Sequence, residues 1–290
     1  MESEPNNPPL VVVLGETASG KSALAMRLAQ MCRGEIICAD SRTVYRGMDI
    51  GTAKPSAQDR ASVSHHMLDI VEPNEQFTVA EFKVQAQAAI DQIAARGHVP
   101  FLVGGTGLYI VLYDFAFGAE PDLSERAKLQ QLSVQELRDL LQARKLDVPE
   151  NFQNPRHLVH ALELNGVRPA KHDLRSNTLV LGLRIPREKL EANVIARVDA
   201  MVAAGFAAEV AQLATKYGWD APGLQAPGYK AFHTYIDGSA TLEEAKAQFV
   251  RNDLALAKRQ RTWFKRNKSI HWLENQAESA EILTTFLNKL

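Results

Sequence analysis

Short apolar segments alternate with longer, one-sided segments through the first third of the chain. Runs dominated by apolar residues at Val11–Leu14, Glu35–Ala39 and Val99–Val103 predict buried strands. Apolar residues spaced three and four positions apart predict one helix after Lys21 and another after Thr78. Strands that alternate with helices in this way favour the α/β class, with a parallel sheet covered by helices.

The segments between these elements are less regular. Residues 42–64 are rich in Gly, Thr and charged residues without clear periodicity, which predicts a long functional loop containing a short helix. His65–Val71 predicts a further short strand. Thr78 and Glu81 have the spacing of a capping box, which fixes the start of the second helix.

A more charged segment, residues 119–177, interrupts the alternation. It contains a capping box at Ser133 and Glu136, and helical patterns at residues 134–145 and 155–164. We therefore predict a small helical insertion domain. The rest of the chain divides into a disordered tail at residues 1–9 and a core formed by residues 10–118 and 178–290.

The last third of the chain is mainly helical. Its predicted elements are a strand at Thr178–Ile185, a helical region at Arg187–Tyr217 interrupted near Gly205, a loop at Pro222–Gly228, and a helix that Thr241 and Glu244 cap and that reaches about Lys265. The strand returns the chain to the main sheet. The final helix is basic.

The loop after the first strand carries the strongest chemical signal. Gly15, Gly20, Lys21 and Ser22 fit the phosphate-loop pattern G-x-x-x-x-G-K-[ST], between a predicted strand and a predicted helix. Glycines let backbone N–H groups turn toward phosphate oxygens, and the helix N-terminus adds positive potential. Lys21 would reach the terminal phosphate and the Ser22 hydroxyl would bind Mg²⁺, so we expect a di- or triphosphate ligand.

The residues that follow Val99–Val103 indicate which phosphate-loop chemistry fits. The run ends in Gly104-Gly105-Thr106, where nucleoside triphosphate hydrolases place an Asp that helps to hold Mg²⁺. This weakens ATPase, GTPase and kinase interpretations, and favours a diphosphate held as a leaving group beside the Thr106 hydroxyl. Asp40, at the end of the second strand, is placed to act as a base or simply to cap a turn.

The C-terminal helix interleaves basic and aromatic residues. Its members are Arg251, Lys258, Arg259, Arg261, Lys265, Arg266 and Lys268, with Trp263 and Phe264 between them. This composition fits RNA, because cations neutralise phosphates and aromatic rings stack on bases. A solvated helix face is the alternative interpretation.

Composition adds a few limits to this picture. The chain has 290 residues, 46% of them hydrophobic, and a formal net charge of −1, so any RNA-binding surface must be local. Its two cysteines, Cys32 and Cys38, have no metal-ligand spacing, which favours a reducing, cytoplasmic compartment. No apolar run approaches membrane-spanning length. A monomer is the default expectation.

Seven ordered segments resemble the tRNA dimethylallyltransferases, also called tRNA isopentenyltransferases. The segments are GETASGKS, EIICADS, VYRGMDIGTAKP, HHMLDI, FLVGGTGLYI, LQAPGYK and AKRQRTWFKR, which extend from about Val11 to Leu273. The resemblance implies transfer of a dimethylallyl group from dimethylallyl diphosphate to N6 of an adenosine beside the tRNA anticodon. It also implies a phosphate-loop core whose helical insertion grips the anticodon stem-loop.

The resemblance also implies roles for individual residues. Asp40 would accept the N6 proton, Thr106 would bond the bridging oxygen of the diphosphate, and Arg197 would add positive charge there. The diphosphate site would comprise Gly15, Thr17, Ala18, Ser19, Gly20, Lys21 and Ser22, with Mg²⁺ on Ser22. The tRNA contacts would comprise Ser41, Arg42, Thr43, Arg156, His157, His160, Lys258, Arg259, Gln260 and Trp263.

The chain departs from the family pattern at several positions. Glu16 replaces Pro or a small residue and would bring negative charge to the diphosphate. Thr43 replaces a usual Gln, and His157 and His160 replace arginines. Residues 253–256 are Asp-Leu-Ala-Leu where Thr-Arg-Arg-Tyr is usual. We expect the tRNA grip to be weaker than in typical members.

Three rival functions remain at this point. The first is prenyl transfer to a free adenine nucleotide, which would need neither the insertion nor the basic helix. The second is a phosphate-loop kinase or hydrolase, and the third is a non-catalytic RNA-binding relative. Lys21, Asp40 and Thr106 together disfavour the third, since a pure binder does not need all three.

Overall fold

The structure is a computed structural model that describes residues 7–106, 123–166, 175–265, 267–273 and 275–290. It divides into two compact units. The larger comprises Met1–Val111 and Leu174–Leu290, and the smaller comprises Leu112–Asp173. The predicted apolar segment from Leu108 to Phe117 lies outside the described residues.

A parallel sheet forms the centre of the larger unit, as predicted. Its strands are β1 (Leu10–Gly15), β2 (Gly34–Cys38), β3 (His65–His66), β4 (Val99–Gly104), β5 (Thr178–Leu183) and β6 (His271–Leu273). They lie in the order β3-β2-β4-β1-β5-β6, and every pair is parallel. This order brings the carboxyl ends of β1, β2 and β4 side by side, the usual location of ligand sites in such sheets.

Helices connect and follow these strands in the larger unit. They are α1 (Lys21–Met31), α2 (Ala57–Ser62) and α3 (Val79–Ala95) in the first half of the chain. The smaller unit contains α4 (Leu123–Leu129), α5 (Val134–Ala143) and α6 (Pro155–Leu164). The larger unit then continues with α7 (Arg187–Ala203), α8 (Phe206–Tyr217), α9 (Pro227–Ile236), α10 (Leu242–Phe264) and α11 (Glu278–Leu287).

Local signals placed most of these helices correctly. The capping boxes predicted at Thr78, Ser133 and Thr241 are all formed, with each hydroxyl accepting from the N3 backbone N–H. The helical region after β5 is interrupted at Gly205, which has φ +97° and separates α7 from α8.

Other elements differ from the predictions. The strand predicted at His65–Val71 is only two residues long, because Met67 and Asp69 adopt positive φ and break the extended backbone. The loop predicted at Pro222–Gly228 contains a 3₁₀ turn and the start of α9, whose Pro227 stands in the first turn. Proline is favoured at that position because the N–H it lacks has no helical partner there. β6 and α11 were not predicted.

The predicted disordered tail is too long. Residues 7–9, which it included, are bonded to the segment before β5: the side chain of Asn177 donates to the Asn7 carbonyl at 2.9 Å, and Arg175 donates to the Pro8 carbonyl at 2.7 Å. Residues 1–6 lie outside the described residues.

Two hydrophobic clusters of described residues stabilise the larger unit. One packs α1 and α11 with the sheet, through residues that include Leu24, Phe101 and Leu283. The other is aromatic and joins α8, α9 and α10 around Phe206, whose ring lies 4.8 to 5.5 Å from the rings of Tyr229, Phe232 and Phe249. The second cluster fixes α10 beside the carboxyl edge of the sheet.

The smaller unit has its own small core. On the three helices that the structure describes there, leucines that include Leu129, Leu137, Leu141, Leu158 and Leu162 are almost fully buried. Among the helices that the structure describes in either unit, none is long and apolar enough to cross a membrane.

Candidate active site at the phosphate loop

A cavity of about 480 Å³ opens at the carboxyl ends of β1, β2 and β4. The phosphate loop forms one wall, with Lys21 and Ser22 facing the cavity. Asp40 after β2, Arg197 on α7 and Asp253 on α10 line the other sides. Residues from four separate parts of the chain therefore meet around one space.

Steric fit explains the glycine that begins the phosphate loop. β1 ends at Gly15, where a Cβ atom would lie 2.6 Å from Ser19 Oγ and 3.1 Å from the Leu183 carbonyl oxygen. Gly20 stands immediately before α1 and has φ +91°, a backbone conformation that residues with side chains rarely adopt. Ser19 Oγ is buried and has no hydrogen-bond partner among the described residues. The loop thus keeps one buried hydroxyl without a partner among the described residues, packed against Gly15.

Lys21 is the central cation of the loop. Its Nζ donates to the Glu16 carbonyl oxygen at 3.2 Å. Burial lowers the pKa of Lys21 to about 8, and the nearby Asp40 carboxylate only partly opposes this shift. A buried ammonium with a lowered pKa gains stability when an anion arrives, because the anion favours its charged form. Lys21 therefore fits the predicted phosphate contact.

The structure pairs the Glu16 carboxylate with a cation, so its charge acts on the cavity less strongly than the sequence had suggested. The buried carboxylate forms a bidentate pair with the Arg261 guanidinium, in which Nη2 lies 2.8 Å from Oε2 and Nε also contacts Oε1. Glu16 also raises the pKa of Arg261. The expected negative charge beside the diphosphate is thus neutralised by a residue 245 positions away.

Asp40 and Thr106 lie at the ends of neighbouring strands. Ala39 N donates to the Val103 carbonyl at 2.7 Å, which continues the β2–β4 pairing up to Asp40. Thr106 Oγ1 accepts a hydrogen bond from Ser41 N at 3.3 Å, so the two predicted catalytic residues are linked through one intervening backbone group. Asp40 Oδ1 also accepts from Arg42 N at 2.8 Å, the turn-capping role that the sequence left open.

Arg197 reaches the phosphate loop from α7. Its Nη1 donates to Thr17 Oγ1, and the same atom lies 3.8 Å from Asp253 Oδ2. Its Nε is buried without a hydrogen-bond partner among the described residues. The predicted position of Arg197 beside the diphosphate site is consistent with this geometry.

Two predicted tRNA contacts are placed differently by the structure. Gln260 on α10 is buried, and its Oε1 accepts from Thr17 N at 2.8 Å, while its Nε2 would lie 2.5 Å from a Cβ at Gly105. Thr43 is also buried, and its hydroxyl donates to the Asp40 carbonyl at 3.4 Å. Both side chains line the cavity and bond to backbone groups beside it, and contact with tRNA stays a prediction for them. Thr17 N is thereby already engaged by the protein.

The other predicted tRNA contacts are partly or fully exposed where the structure describes them. Lys258, Arg259 and Trp263 are exposed on α10, and His157 and His160 are exposed on α6. Ser41 and Arg42 are partly buried, and Arg42 Nη1 donates to the Pro222 carbonyl at 3.1 Å. The Arg156 side chain lies outside the described residues. Contact with tRNA stays a prediction for all of these residues.

Asp253 is a site residue that the sequence assigned to the RNA side. It is 4% exposed and faces the cavity, and its Oδ2 has no hydrogen-bond partner among the described residues. Burial raises the pKa of Asp253, and Arg197 and Lys21 oppose this shift. The sequence did contain a signal for this burial. Asp253 lies four residues from both Phe249 and Ala257, which are buried, and residues four apart share a helix face.

The described residues contain no group of three or more His, Cys, Asp or Glu that could hold a metal ion. Ser22 is exposed in the first turn of α1 and lines the cavity next to Lys21, so its hydroxyl is open to a bound ligand or ion.

The sheet order, the phosphate loop between β1 and α1, and the cavity at the strand ends define an α/β phosphate-loop protein. The family model described as IPP transferase matches residues 43–267. The tRNA dimethylallyltransferase of Roseiflexus sp. (strain RS-1) is 40% identical over 298 residues, which cover 94% of this chain and 95% of that protein. The tRNA dimethylallyltransferase of Bacillus subtilis (strain 168) is 36% identical and covers 97% and 98% respectively.

A solved structure gives the same result. The full-length tRNA isopentenylpyrophosphate transferase from Bacillus halodurans matches with a TM-score of 0.75 and 36% identity, over 98% of each chain. This chain belongs to the IPP transferase family.

Proposed function

We propose that this protein is a tRNA dimethylallyltransferase. It transfers the dimethylallyl group of dimethylallyl diphosphate to N6 of the adenosine beside the anticodon in tRNA, and releases diphosphate. The observation that carries this proposal is that Lys21, in a phosphate loop, and the Asp40 carboxylate line the same cavity. A kinase or hydrolase would instead need an acid after β4, where this chain has Gly104-Gly105-Thr106.

The phosphate loop would hold the diphosphate. Lys21 supplies one cation and Arg197 supplies a second one from α7, and both line the cavity. Negative charge on the diphosphate rises as its bond to the allylic carbon breaks. Groups fixed in advance around that charge stabilise the transition state more than the substrate. Thr106, at the end of β4, would bond the oxygen that leaves.

Asp40 would act as the general base. The adenine N6 lone pair is delocalised into the ring, so the amine is a weak nucleophile until it loses a proton. As N6 bonds to the allylic carbon, the carbon–oxygen bond breaks, the diphosphate departs, and the N6 proton passes to the Asp40 carboxylate. Positioned general bases contribute about 10²–10⁴-fold to rate. The backbone N–H of Arg42 holds Oδ1 in place.

Mg²⁺ is part of the proposal. When bound, it would neutralise charge on the diphosphate, with the Ser22 hydroxyl as the ligand from the protein. The exposed position of Ser22 beside Lys21 supports this assignment.

The acceptor adenosine must leave the anticodon-loop stack to reach a cavity of this depth. The exposed Lys258, Arg259 and Trp263 on α10 suit phosphate and base contacts with that loop. The smaller unit, with His157 and His160 exposed, would add further contacts to the stem-loop. We further infer a monomer that works in the cytoplasm, where the free thiols of Cys32 and Cys38 persist.

The test is transfer of labelled dimethylallyl from its diphosphate, with an unmodified anticodon stem-loop RNA and AMP as parallel acceptors. We expect label on the RNA and none on AMP. Asp40→Asn should lower kcat by about 10²-fold or more, because the amide cannot take the proton. Asp91→Asn, an exposed acid on α3, is the matched control. Label on AMP alone would make the nucleotide-acting alternative correct, and no transfer to either acceptor would refute the proposal.

A further inference from the structure

The Asp253 carboxylate faces the phosphate-loop cavity, which Asp40 and Asp59 also line. Asp253 belongs to the buried face of α10, one turn after Phe249 and two turns before Gln260, which binds the loop backbone. Its side chain is 6% exposed, and Oδ2 accepts no hydrogen bond from any described residue. A buried acceptor without a hydrogen-bond partner destabilises the fold, so this position is unfavourable unless another interaction compensates for it.

The nearest cation to that oxygen is Arg197. Its Nη1 lies 3.8 Å from Asp253 Oδ2, too far for a hydrogen bond but close enough for strong charge attraction. The Arg197 Nε–H is itself buried and lacks a partner among the described residues. An unmatched donor and an unmatched acceptor thus lie on neighbouring helices at the edge of the anion site. The pair is loosely formed rather than locked.

The charges around Lys21 show what this pair does to the cavity. The charged groups that act on Lys21 are Asp40, Arg197, Asp253 and Glu16. Glu16 is already neutralised by its bidentate pair with Arg261. Besides Glu16, the cation Arg197 and the carboxylates Asp40 and Asp253 therefore act on Lys21. Other charged residues also line the cavity, namely Arg42, Lys54 and Asp59. The negative charge of Asp253 opposes the positive charge of Arg197 that a diphosphate would otherwise meet.

We propose that Asp253 is an internal counter-ion that positions Arg197 over the phosphate loop while no diphosphate is bound, and that competes with the diphosphate for this guanidinium. This role rests on the proposed function, which places the diphosphate in the loop. It weakens the grip on both the allylic diphosphate and the released diphosphate. The benefit is product release, a step that limits many enzymes that bind their products tightly. Asp253 acts through Arg197 and touches no reacting atom.

Asp253→Asn tests this role, because the amide keeps the shape and one acceptor oxygen but removes the charge. Calorimetry with inorganic diphosphate and Mg²⁺ should show binding at least about five-fold tighter than in the wild-type protein, the lower end of typical coupling between sites. KM for dimethylallyl diphosphate and the inhibition constant of diphosphate should fall by similar factors, while kcat does not rise. Damage to the fold would weaken binding, so tighter binding cannot arise from it.

A double-mutant cycle separates action through Arg197 from a general effect of charge. In an Arg197→Ala background, Asp253→Asn should leave the affinity for diphosphate within about two-fold. Asp199→Asn is the matched control, because it removes an acid from the same helix as Arg197, where it pairs with Lys246. We expect the control to bind diphosphate as the wild-type protein does.

Two results would overturn the counter-ion role alone: unchanged or weaker diphosphate binding in Asp253→Asn, or equal tightening with and without Arg197. Wild-type protein that binds no diphosphate and transfers no dimethylallyl group would instead overturn the proposed function, and this role with it. The two failures are therefore distinguishable in the same set of measurements.

Discussion

The Glu16–Arg261 pair joins the phosphate loop to α10 and gives a sharp test of how this site is held together. The Glu16 side chain is 4% exposed and that of Arg261 is 26% exposed. Arg261→Met keeps most of the aliphatic stem but leaves the Glu16 carboxylate buried without its partner. Breaking a buried pair in this way costs about 3–5 kcal/mol, and the partial exposure of Arg261 reduces our expectation to about 2–3 kcal/mol.

This loss should be visible in thermal unfolding. At about 2–4 °C per kcal/mol for a unit of this size, Arg261→Met should lower Tm by about 5–10 °C. It should also raise KM for dimethylallyl diphosphate, because the unpaired Glu16 charge then acts on the anion site. Arg251→Met, an exposed cation on the same helix, is the control and should shift Tm by less than about 2 °C.

A second substitution makes the test specific. Glu16→Gln removes the carboxylate charge that Arg261→Met leaves unpaired. The free energy of unfolding of the Glu16→Gln/Arg261→Met double variant should therefore be at least about 1 kcal/mol higher than that of Arg261→Met alone. Its KM for the diphosphate should also move back toward the wild-type value. Strict additivity of the two single effects, or a Tm for Arg261→Met equal to that of the Arg251→Met control, would show that the pair does not hold the loop.

Three further predictions concern other parts of the same unit. Burial raises the pKa of Asp253 above its ordinary value of 3.8. The contribution of Asp253 to the free energy of unfolding is therefore full below pH 3.8 and is lost as the pH rises through the pKa of the folded state. Asp253→Asn should raise Tm at pH 7, and thermal scans of the two proteins should show this difference shrink toward pH 4. Gly51→Ala should lower the free energy of unfolding, measured in urea, by about 1–3 kcal/mol. The reason is that a Cβ at this position would overlap the Phe206 ring and lie 2.7 Å from the Tyr229 ring. An unchanged midpoint of urea unfolding would contradict this packing. Gln260→Leu should raise KM for dimethylallyl diphosphate, since Thr17 N loses its acceptor, and a rise confined to KM for tRNA would restore Gln260 as an RNA contact.

The features that the sequence predicted correctly are those encoded over a few residues. The capping boxes at Thr78, Ser133 and Thr241 need only a hydroxyl and a carboxylate three positions apart. The phosphate loop needs two glycines and a lysine at fixed spacing. Two of the missed elements are short or begin with a residue that usually ends a helix: the three-residue β6 and the α9 helix that starts at Pro227. The ten-residue α11 has neither feature and was also missed.

The geometry of the site could not be predicted in the same way, because its key contacts join distant positions. Gln260 binds the backbone of Thr17 across 243 residues, and Arg261 neutralises Glu16 across 245. Neither partner has any local pattern that marks it for the other. Only the aromatic packing around Phe206, which sets α10 beside the sheet, brings these pairs together.

The same packing gives α10 two different faces. Its buried face carries Asp253 and Gln260 to the phosphate-loop cavity, whereas Lys258 and Arg259 lie on the exposed face. Lys258→Ala/Arg259→Ala should therefore raise KM for the anticodon stem-loop and reduce the dependence of binding on salt, because removing one cation from an RNA phosphate lowers the salt slope by about one. KM for dimethylallyl diphosphate should stay within about two-fold, since neither cation lines the cavity. Equal changes in both KM values would mean that the faces are coupled, and that the helix moves as the RNA binds.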